Sequence, residues 1–547
     1  MLQDLANMNM FSVVLLIALC ASVKGSSRLD PLVSTKGGLI RGLQSGDGNA
    51  IFLGVPYAVV DKKNPFGPSK PHPGFDHIFD AFESNECPQV NHGIASGTLD
   101  CLTMNIYVPS IADSQRRLPV MVWIHGGGFS KGSADSDGLS PKFLLKHDVI
   151  VVAINYRLGA YGFMCLDIPE VPGNQGFKDQ VLALRWINEN IEAFGGNSKE
   201  ITVFGESAGA ISVNLHLFSL YEKLFQRAII QSGPALTHIW KRTSDNSAPM
   251  KLASELGLNT TNIYEALDYV ASIDALKIIK ICDDLDNTFA FMGNAMVTIP
   301  CLEKEFEGVD NFITDHPRNV VSSKAKTTSV IIGYNSDEAA VMLATATDEY
   351  YRQVFSFGSN LEIGFDLHDD LKDAADTVRH FYVGDAEITK NVEEAILDFS
   401  TDFTYAYPTQ LTADLLLANG ASDVYRYIFS YNGGRNLLSI QMNLNITGAT
   451  HADELGYLFD YDMFDGEIDP EDQLVIDRMT AIWTNFAKFG NPTPEITELL
   501  PVKWDPITTT THPYLDINLD LTPGSRPNHD RMAFWDLFYR LYGKYQI

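Results

Sequence analysis

The chain has 547 residues, of which 45% are hydrophobic and 20% are charged, a composition that suits a globular protein with a large core. Its formal net charge of −29 repels the phosphate backbones of nucleic acids and anionic membrane surfaces, which argues against both as partners. No charge block, low-complexity segment or Pro/Ser-rich linker divides the chain, so we predict a single domain over residues 26–547.

The first element in chain order is an apolar run at residues 11–21. Its length fits the hydrophobic part of a secretory signal peptide and is too short to span a bilayer, so we predict a signal peptide over residues 1–25. A buried N-terminal helix is the alternative. No later apolar run is long enough to cross a membrane, and we expect a secreted, extracellular protein. Secretion favours N-glycosylation at two Asn-X-Thr triplets, which begin at Asn259 and Asn445.

Six cysteines are consistent with an oxidising compartment. Cys87 and Cys101 would close one short loop, and Cys282 and Cys301 would close another. Cys165 follows an apolar segment that we interpret as a strand, and we predict a buried free thiol there.

Apolar runs typical of buried strands alternate with helical spacing along the rest of the chain. The predicted strands cover residues 119–124, 149–154, 201–204, 329–332 and 424–429, and one predicted helix covers residues 179–193. This alternation predicts an α/β protein with a large, mostly parallel central sheet and helices on both faces. In such sheets, functional groups collect at the carboxyl ends of the strands.

The segment Gly205-Glu206-Ser207-Ala208-Gly209 lies between a predicted strand and a helix-like run. This strand–turn–helix context is the nucleophile elbow of an α/β-hydrolase. The turn would place the Ser207 hydroxyl at the top of the sheet, with the positive end of a helix behind it. The two glycines suit the turn because a Cβ at either position would crowd the neighbouring strand or helix.

Three further segments would complete an acyl-transfer site around this serine. The loop His125-Gly126-Gly127-Gly128-Phe129 follows a strand, and its glycines allow several N–H groups to converge on a developing oxyanion. Asp337 and Glu338 follow a later strand, where an acid can orient a histidine. His451 completes the chain order serine, acid, histidine that this fold uses.

Together these residues resemble the type-B carboxylesterase/cholinesterase family over about residues 31–540, and among its members the insect secreted and antennal carboxylesterases most closely. Further matching motifs are Phe52–Ala58, Asp100–Pro109, Asn155–Gly159, Gln231–Gly233 and Trp483–Lys488. The resemblance implies an α/β-hydrolase fold, carboxylic ester hydrolysis and no need for a metal or an organic cofactor.

Carried over by position, the resemblance makes Ser207 the nucleophile, His451 the general base and Glu338, in preference to Asp337, the acid. It assigns the oxyanion donors to backbone N–H groups at three positions: Gly127, Gly128 and Ala208. It also implies two disulfides, Cys87–Cys101 and Cys282–Cys301.

Two features bear on the substrate. Cholinesterases bind quaternary ammonium with a Trp in the early disulfide loop, and residues 88–100 contain no aromatic side chain here. Juvenile hormone esterases typically carry Gln where Glu206 stands. We therefore expect a general carboxylesterase acting on small apolar esters, such as pheromone, odorant or xenobiotic esters. A juvenile hormone esterase is the first alternative, and a non-catalytic adhesion homologue is the second. Trp240 is either a wall of the acyl pocket or a core aromatic.

Overall fold

The structure is a computed structural model that describes residues 31–112, 115–135, 138–238, 244–289 and 299–546. The predicted signal peptide and Trp240 lie outside these residues, so both remain predictions. No helix in the described ranges is long and apolar enough to cross a membrane.

Strands follow one another closely in the first third of the chain and are fewer in the rest of it. They are β1 Leu32–Thr35, β2 Gly38–Arg41, β3 Leu43–Gln44, β4 Ala50–Pro56, β5 Ala58–Val59, β6 Lys70–Pro71, β7 Phe79–Asp80, β8 Gln89–Asn91, β9 Ile94–Ser96, β10 Thr103–Val108, β11 Leu118–Ile124, β12 Ile150–Ile154, β13 Gly196–Glu206, β14 Arg227–Gln231, β15 Ser329–Asn335, β16 Val424–Phe429, β17 Pro513–Ile517 and β18 Leu521–Ser525.

Helices separate the later strands. They are α1 Lys142–Leu145, α2 Gly159–Phe163, α3 Gln175–Asn190, α4 Ala208–Phe218, α5 Ala248–Glu255, α6 Ile263–Ala271, α7 Ala275–Phe289, α8 Ala340–Leu343, α9 Asp348–Gln353, α10 Phe357–Leu361, α11 Leu371–Tyr382, α12 Glu393–Thr401, α13 Tyr407–Ala418, α14 Leu437–Gln441, α15 Pro470–Phe489 and α16 His529–Tyr542.

Eleven strands form the central sheet, in the order β18-β17-β16-β15-β14-β13-β11-β12-β10-β4-β3. Every pair from β17 to β12 is parallel, and the pairs at the two edges of the sheet are antiparallel. The predicted mostly parallel sheet is therefore confirmed.

The sheet is covered on both faces, as its side chains show. In β11, Val120 and Val122 belong to one apolar cluster, whereas Met121 and Trp123 belong to another. Because successive side chains of a strand point to opposite faces, the two clusters are the two sides of one buried sheet. This double cover explains why the central strands are continuous apolar runs rather than alternating ones.

The predicted helix at residues 179–193 differs from the structure at both ends. Helix α3 begins earlier, at Gln175, and ends at Asn190, where the 3-10 turn Ile191–Phe194 takes the place of the last predicted residues. Gly195 follows in a left-handed conformation, which ends the turn before β13 begins.

The cysteine predictions need a correction. Cys165 follows α2, not a strand, and forms a disulfide with Cys301. The expected Cys282–Cys301 pair is therefore wrong, as is the free thiol at Cys165. Cys282 lies in α7 and is buried in an apolar cluster instead. A disulfide also joins Cys87 and Cys101.

Candidate active site

The turn between β13 and α4 holds Ser207 in an unusual backbone conformation, with φ 57° and ψ −125°. A non-glycine residue adopts such angles only where its surroundings impose them. Here the backbones touch, since a Cβ on Gly209 would lie 2.0 Å from the carbonyl oxygen of Ile124. A Cβ on Gly205 would meet the backbone of Gly209 at 2.6 Å. The packing of β11, the turn and α4 therefore fixes Ser207 at the carboxyl end of β13.

His451 lies in the loop after α14 and is oriented by Glu338, which follows β15. The Glu338 Oε2 atom lies 2.6 Å from His451 Nδ1, and Glu338 Oε1 accepts a 2.7 Å hydrogen bond from the N–H of Asn335. Glu338 is fully buried. Asp337, the other acid considered from the sequence, contacts the hydroxyl of Ser336. The structure thus brings Glu338 to His451.

The other nitrogen of the imidazole faces a second carboxyl group. Glu206, the residue before Ser207, places Oε1 3.1 Å from His451 Nε2. This contact sets His451 against the nucleophile turn. From the sequence, Glu206 is a clue to the substrate only, and its contact with His451 is not predictable because no local pattern joins residues so far apart in the chain.

The pKa values of Glu206 and His451 depend on each other. Burial raises the pKa of Glu206 to about 8. Burial acts to lower the pKa of His451, but Glu206 and Glu338 outweigh burial and raise that pKa to about 10. Glu206 can raise the His451 pKa only while it is ionised, so the two groups titrate together. Because burial disfavours the charged carboxylate, we assign Glu206 as protonated at neutral pH.

A further buried carboxyl group, that of Glu454, lies behind this pair. Its two oxygens accept hydrogen bonds from Gln231 Nε2 at 2.9 Å and Asn335 Nδ2 at 2.7 Å. Trp483 Nε1 donates in turn to Gln231 Oε1 at 3.0 Å. Burial raises the pKa of Glu454 to about 7. Gln231 and Trp483 belong to motifs that the sequence analysis quoted, and this network gives those motifs a structural role.

The glycine loop after β11 supplies donors without partners of their own. Gly127 and Gly128 both have positive φ, +99° and +61°. Among the described residues, none accepts a hydrogen bond from either N–H. Tyr156 holds the loop, because its hydroxyl donates to the carbonyl of His125 at 2.9 Å and its ring stacks on the His125 ring. The N–H of Ala208 is also available, because Ala208 is the first residue of α4 and has no acceptor one turn earlier in the helix.

A cavity of about 80 Å³ lies against the nucleophile turn. It is lined by Gly128, Phe129, Ser207, Ala208, Ile211, Ser232, Gly233, Pro234, Thr237, Ile299 and Tyr405. Two of the three predicted oxyanion positions, Gly128 and Ala208, therefore share a cavity with Ser207. Gly127 precedes them in the same loop. The sequence analysis did not single out Tyr405, whose ring packs against that of His451 with 5.2 Å between centroids.

The two predicted glycosylation sites lie on the surface. Asn259 and Asn445 are both exposed, outside the cavity described above. This position is compatible with modification at either site and leaves both as predictions.

Comparison with known proteins agrees with the fold. The sequence model of the carboxylesterase family matches residues 29–535. A juvenile hormone esterase of Tribolium castaneum is 32% identical, covering 85% of this chain and 84% of that protein. Esterase FE4 of Myzus persicae is also 32% identical and covers 83% of each chain.

A solved structure is similar over nearly the whole chain. It is the juvenile hormone esterase of Manduca sexta with OTFP covalently attached, at a TM-score of 0.81 and 26% identity, covering 94% of this chain and all of that one. The predicted α/β-hydrolase fold and carboxylesterase resemblance are confirmed. The chain belongs to the carboxylesterase family and is a carboxylic ester hydrolase of the serine esterase type.

Proposed function

We propose that this protein is a secreted carboxylesterase that hydrolyses small apolar esters through an acyl-enzyme on Ser207. The observation that carries the proposal is the Glu338–His451 contact beside the nucleophile turn. A buried acid on Nδ1 fixes the tautomer in which Nε2 can accept a proton, and it stabilises the imidazolium that results.

The reaction follows from these positions. As Ser207 Oγ attacks the ester carbonyl carbon, its proton passes to His451 Nε2. The N–H groups of Gly127, Gly128 and Ala208 stabilise the oxyanion, each donor contributing ~3–4 kcal/mol. The imidazolium then protonates the departing alcohol oxygen. A water molecule, deprotonated by His451, attacks the acyl carbon and releases the carboxylic acid.

The cavity wall supports the choice of a small apolar substrate. Phe129, Ile211, Pro234 and Ile299 give it an apolar surface. Its volume of about 80 Å³ is well below the ~300–1,000 Å³ that encloses a drug-sized ligand. A short acyl group of a pheromone, odorant or xenobiotic ester fits that space.

Secretion is the second part of the proposal. Two disulfides, Cys87–Cys101 and Cys165–Cys301, favour an oxidising compartment. The predicted signal peptide over residues 1–25 and the predicted glycans at Asn259 and Asn445 are consistent with it.

A test of the mechanism compares p-nitrophenyl acetate turnover by the wild type, Ser207→Ala and Ser212→Ala. Loss of the nucleophile should reduce kcat by a factor of about 10⁴–10⁶. Ser212 is a matched control, because it is a buried serine on α4 whose hydroxyl bonds to the carbonyl of Ala208. Labelling by an organophosphate should disappear in Ser207→Ala and persist in Ser212→Ala. Full activity in Ser207→Ala would disprove the mechanism.

Juvenile hormone hydrolysis is the second candidate function. The relatives in Tribolium castaneum and Manduca sexta favour it, because both bear that name. Glu206 argues against it, since juvenile hormone esterases typically carry Gln there. Turnover of juvenile hormone and of a short acetate ester, measured side by side, separates the two candidates.

A further inference from the structure

Tyr405 is placed at the candidate site by a local irregularity in a long helical segment. The π-helical turn Asp402–Ala406 lies between α12 and α13. Such turns are rare and are found frequently at functional sites. Tyr405 is the fourth residue of this turn and is almost completely buried.

Two hydrogen bonds connect the π-helical turn and the residue before it to the candidate active site. Thr401 Oγ1 accepts a 3.3 Å hydrogen bond from the N–H of Ala339, the residue after Glu338. Thr237, another residue of the cavity wall, donates its hydroxyl to the carbonyl of Thr404 at 3.1 Å. These two hydrogen bonds hold the π-helical turn against the loop that carries Glu338 and against the cavity wall. The Tyr405 ring therefore has little freedom to leave its place beside His451.

No hydrogen bond joins the Tyr405 hydroxyl to another described residue, and its oxygen is not among the completely enclosed unpartnered atoms of the described residues. Of the other hydroxyl groups on the cavity wall, that of Thr237 is bonded to Thr404, and Ser232 Oγ has no partner but is completely enclosed by protein. Among the hydroxyl groups of the cavity wall, those of Ser207 and Tyr405 are therefore the ones with which a bound molecule can form a hydrogen bond. A ligand acceptor that takes the place of water on the Tyr405 hydroxyl would keep that group hydrogen-bonded while the ligand is bound.

The acyl half of the ester is the part that reaches Tyr405. The cavity includes Ser207 and two of the oxyanion positions, Gly128 and Ala208, and it is small and largely closed. The acyl group stays bonded to Ser207 after the first step, whereas the alcohol must leave and water must enter. A closed cavity therefore suits the acyl group, which does not have to leave until the second step.

We propose that Tyr405 is a specificity-determining residue whose hydroxyl donates a hydrogen bond to an oxygen atom within the acyl chain. Among small and otherwise apolar esters, the enzyme then selects those whose short acyl group carries one ether, hydroxyl or carbonyl oxygen over those with a hydrocarbon chain of the same length. The selection rests on the proposed function, since it requires an acyl-enzyme on Ser207. A site built to hydrogen-bond its substrate rejects the analogue without the polar atom.

The test uses two esters of equal length, p-nitrophenyl methoxyacetate and p-nitrophenyl butyrate, in which one oxygen replaces one methylene. Their kcat/KM ratio is divided by the ratio of their rates of hydroxide-catalysed hydrolysis, which removes the difference in chemical reactivity. The wild type should favour the methoxyacetate by about fivefold after this correction, as expected for one hydrogen bond. Tyr405→Phe should abolish that preference, because it removes the hydroxyl and keeps the ring.

Tyr407→Phe is the matched control. It removes the same hydroxyl two residues away, where the group bonds to Asp536 at 3.1 Å and lies outside the cavity wall. Its corrected ratio should equal that of the wild type. An unchanged ratio in Tyr405→Phe, or an equal change in Tyr407→Phe, overturns the inference alone. Hydrolysis of both esters by Ser207→Ala overturns the proposed function together with it.

Discussion

At the scale of single residues, the protonation of Glu206 decides whether His451 can act as a base. A neutral Glu206 leaves His451 Nε2 able to accept the proton of Ser207. An ionised Glu206, 3.1 Å away, stabilises the imidazolium and removes that ability. Protonated Glu206 with neutral His451 and ionised Glu206 with an imidazolium contain the same number of protons, so raising the pH does not convert the first state into the second. Activity should fall as the pH decreases and both groups become protonated, and it should be kept at alkaline pH, where His451 is neutral.

Glu206→Gln should move this acidic loss to lower pH, because an amide cannot ionise and so no longer raises the pKa of His451. We expect the pH at which kcat/KM for p-nitrophenyl acetate falls to half its maximum to decrease by about one unit relative to the wild type. Glu454→Gln is the control, since Glu454 bonds to Gln231 and Asn335 and raises the pKa of His451 less than Glu206 does, so its shift should be smaller. An unchanged acidic loss in Glu206→Gln would show that another group causes it.

The sequence supports some of these residue-level conclusions and not others. Ser207, Glu338 and His451 stand out because they occur in the recognisable order serine, acid, histidine, and the structure brings Glu338 and His451 together beside the turn of Ser207. Their catalytic roles remain predictions. The position of Tyr405 was not predictable, because a π-helical turn leaves no clear periodic signal in the sequence.

At the scale of elements, the nucleophile turn depends on contacts between backbones. Gly209→Ala would place a methyl group 2.0 Å from the carbonyl oxygen of Ile124. We expect a loss of at least about 1–3 kcal/mol in the free energy of unfolding, because strand and helix must move apart. Esterase activity should fall as well, since the shift displaces Ser207.

Gly46→Ala is the control for this substitution, because no atom lies within 4 Å of its added Cβ. Thermal unfolding monitored by circular dichroism should give a lower midpoint for Gly209→Ala and a wild-type midpoint for Gly46→Ala. Equal midpoints in both variants would mean that the turn accommodates a side chain.

The sequence predicts the central strands well because the sheet is buried on both of its faces. The central strands are found from their apolar runs, because both faces of the sheet are covered and no polar alternation obscures them. Helix ends are less predictable. The 3-10 turn Ile191–Phe194 continues the apolar spacing of α3, so composition alone does not separate the two.

At the scale of the whole molecule, the second disulfide joins parts of the chain that no local argument connects. The sequence analysis paired Cys301 with Cys282 because they are close in sequence. Cys165 is 136 residues from Cys301, yet the two meet because Asn174, in the loop that leads into α3, binds both the carbonyl and the N–H of Cys301. Long-range pairings of this kind depend on the complete fold.

Cys165→Ala and Cys282→Ala should therefore differ strongly in stability. Closing so long a loop stabilises the native state by about 5 kcal/mol in the chain-entropy treatment, and Cys165→Ala loses that contribution. Cys282→Ala removes one buried sulfur atom from an apolar cluster and should cost only about 1 kcal/mol. The melting temperature without reductant should fall far more for Cys165→Ala, and dithiothreitol should narrow the difference. Peptide mapping without reduction should recover Cys165 linked to Cys301; a Cys282–Cys301 peptide would contradict this pairing and restore the one inferred from the sequence.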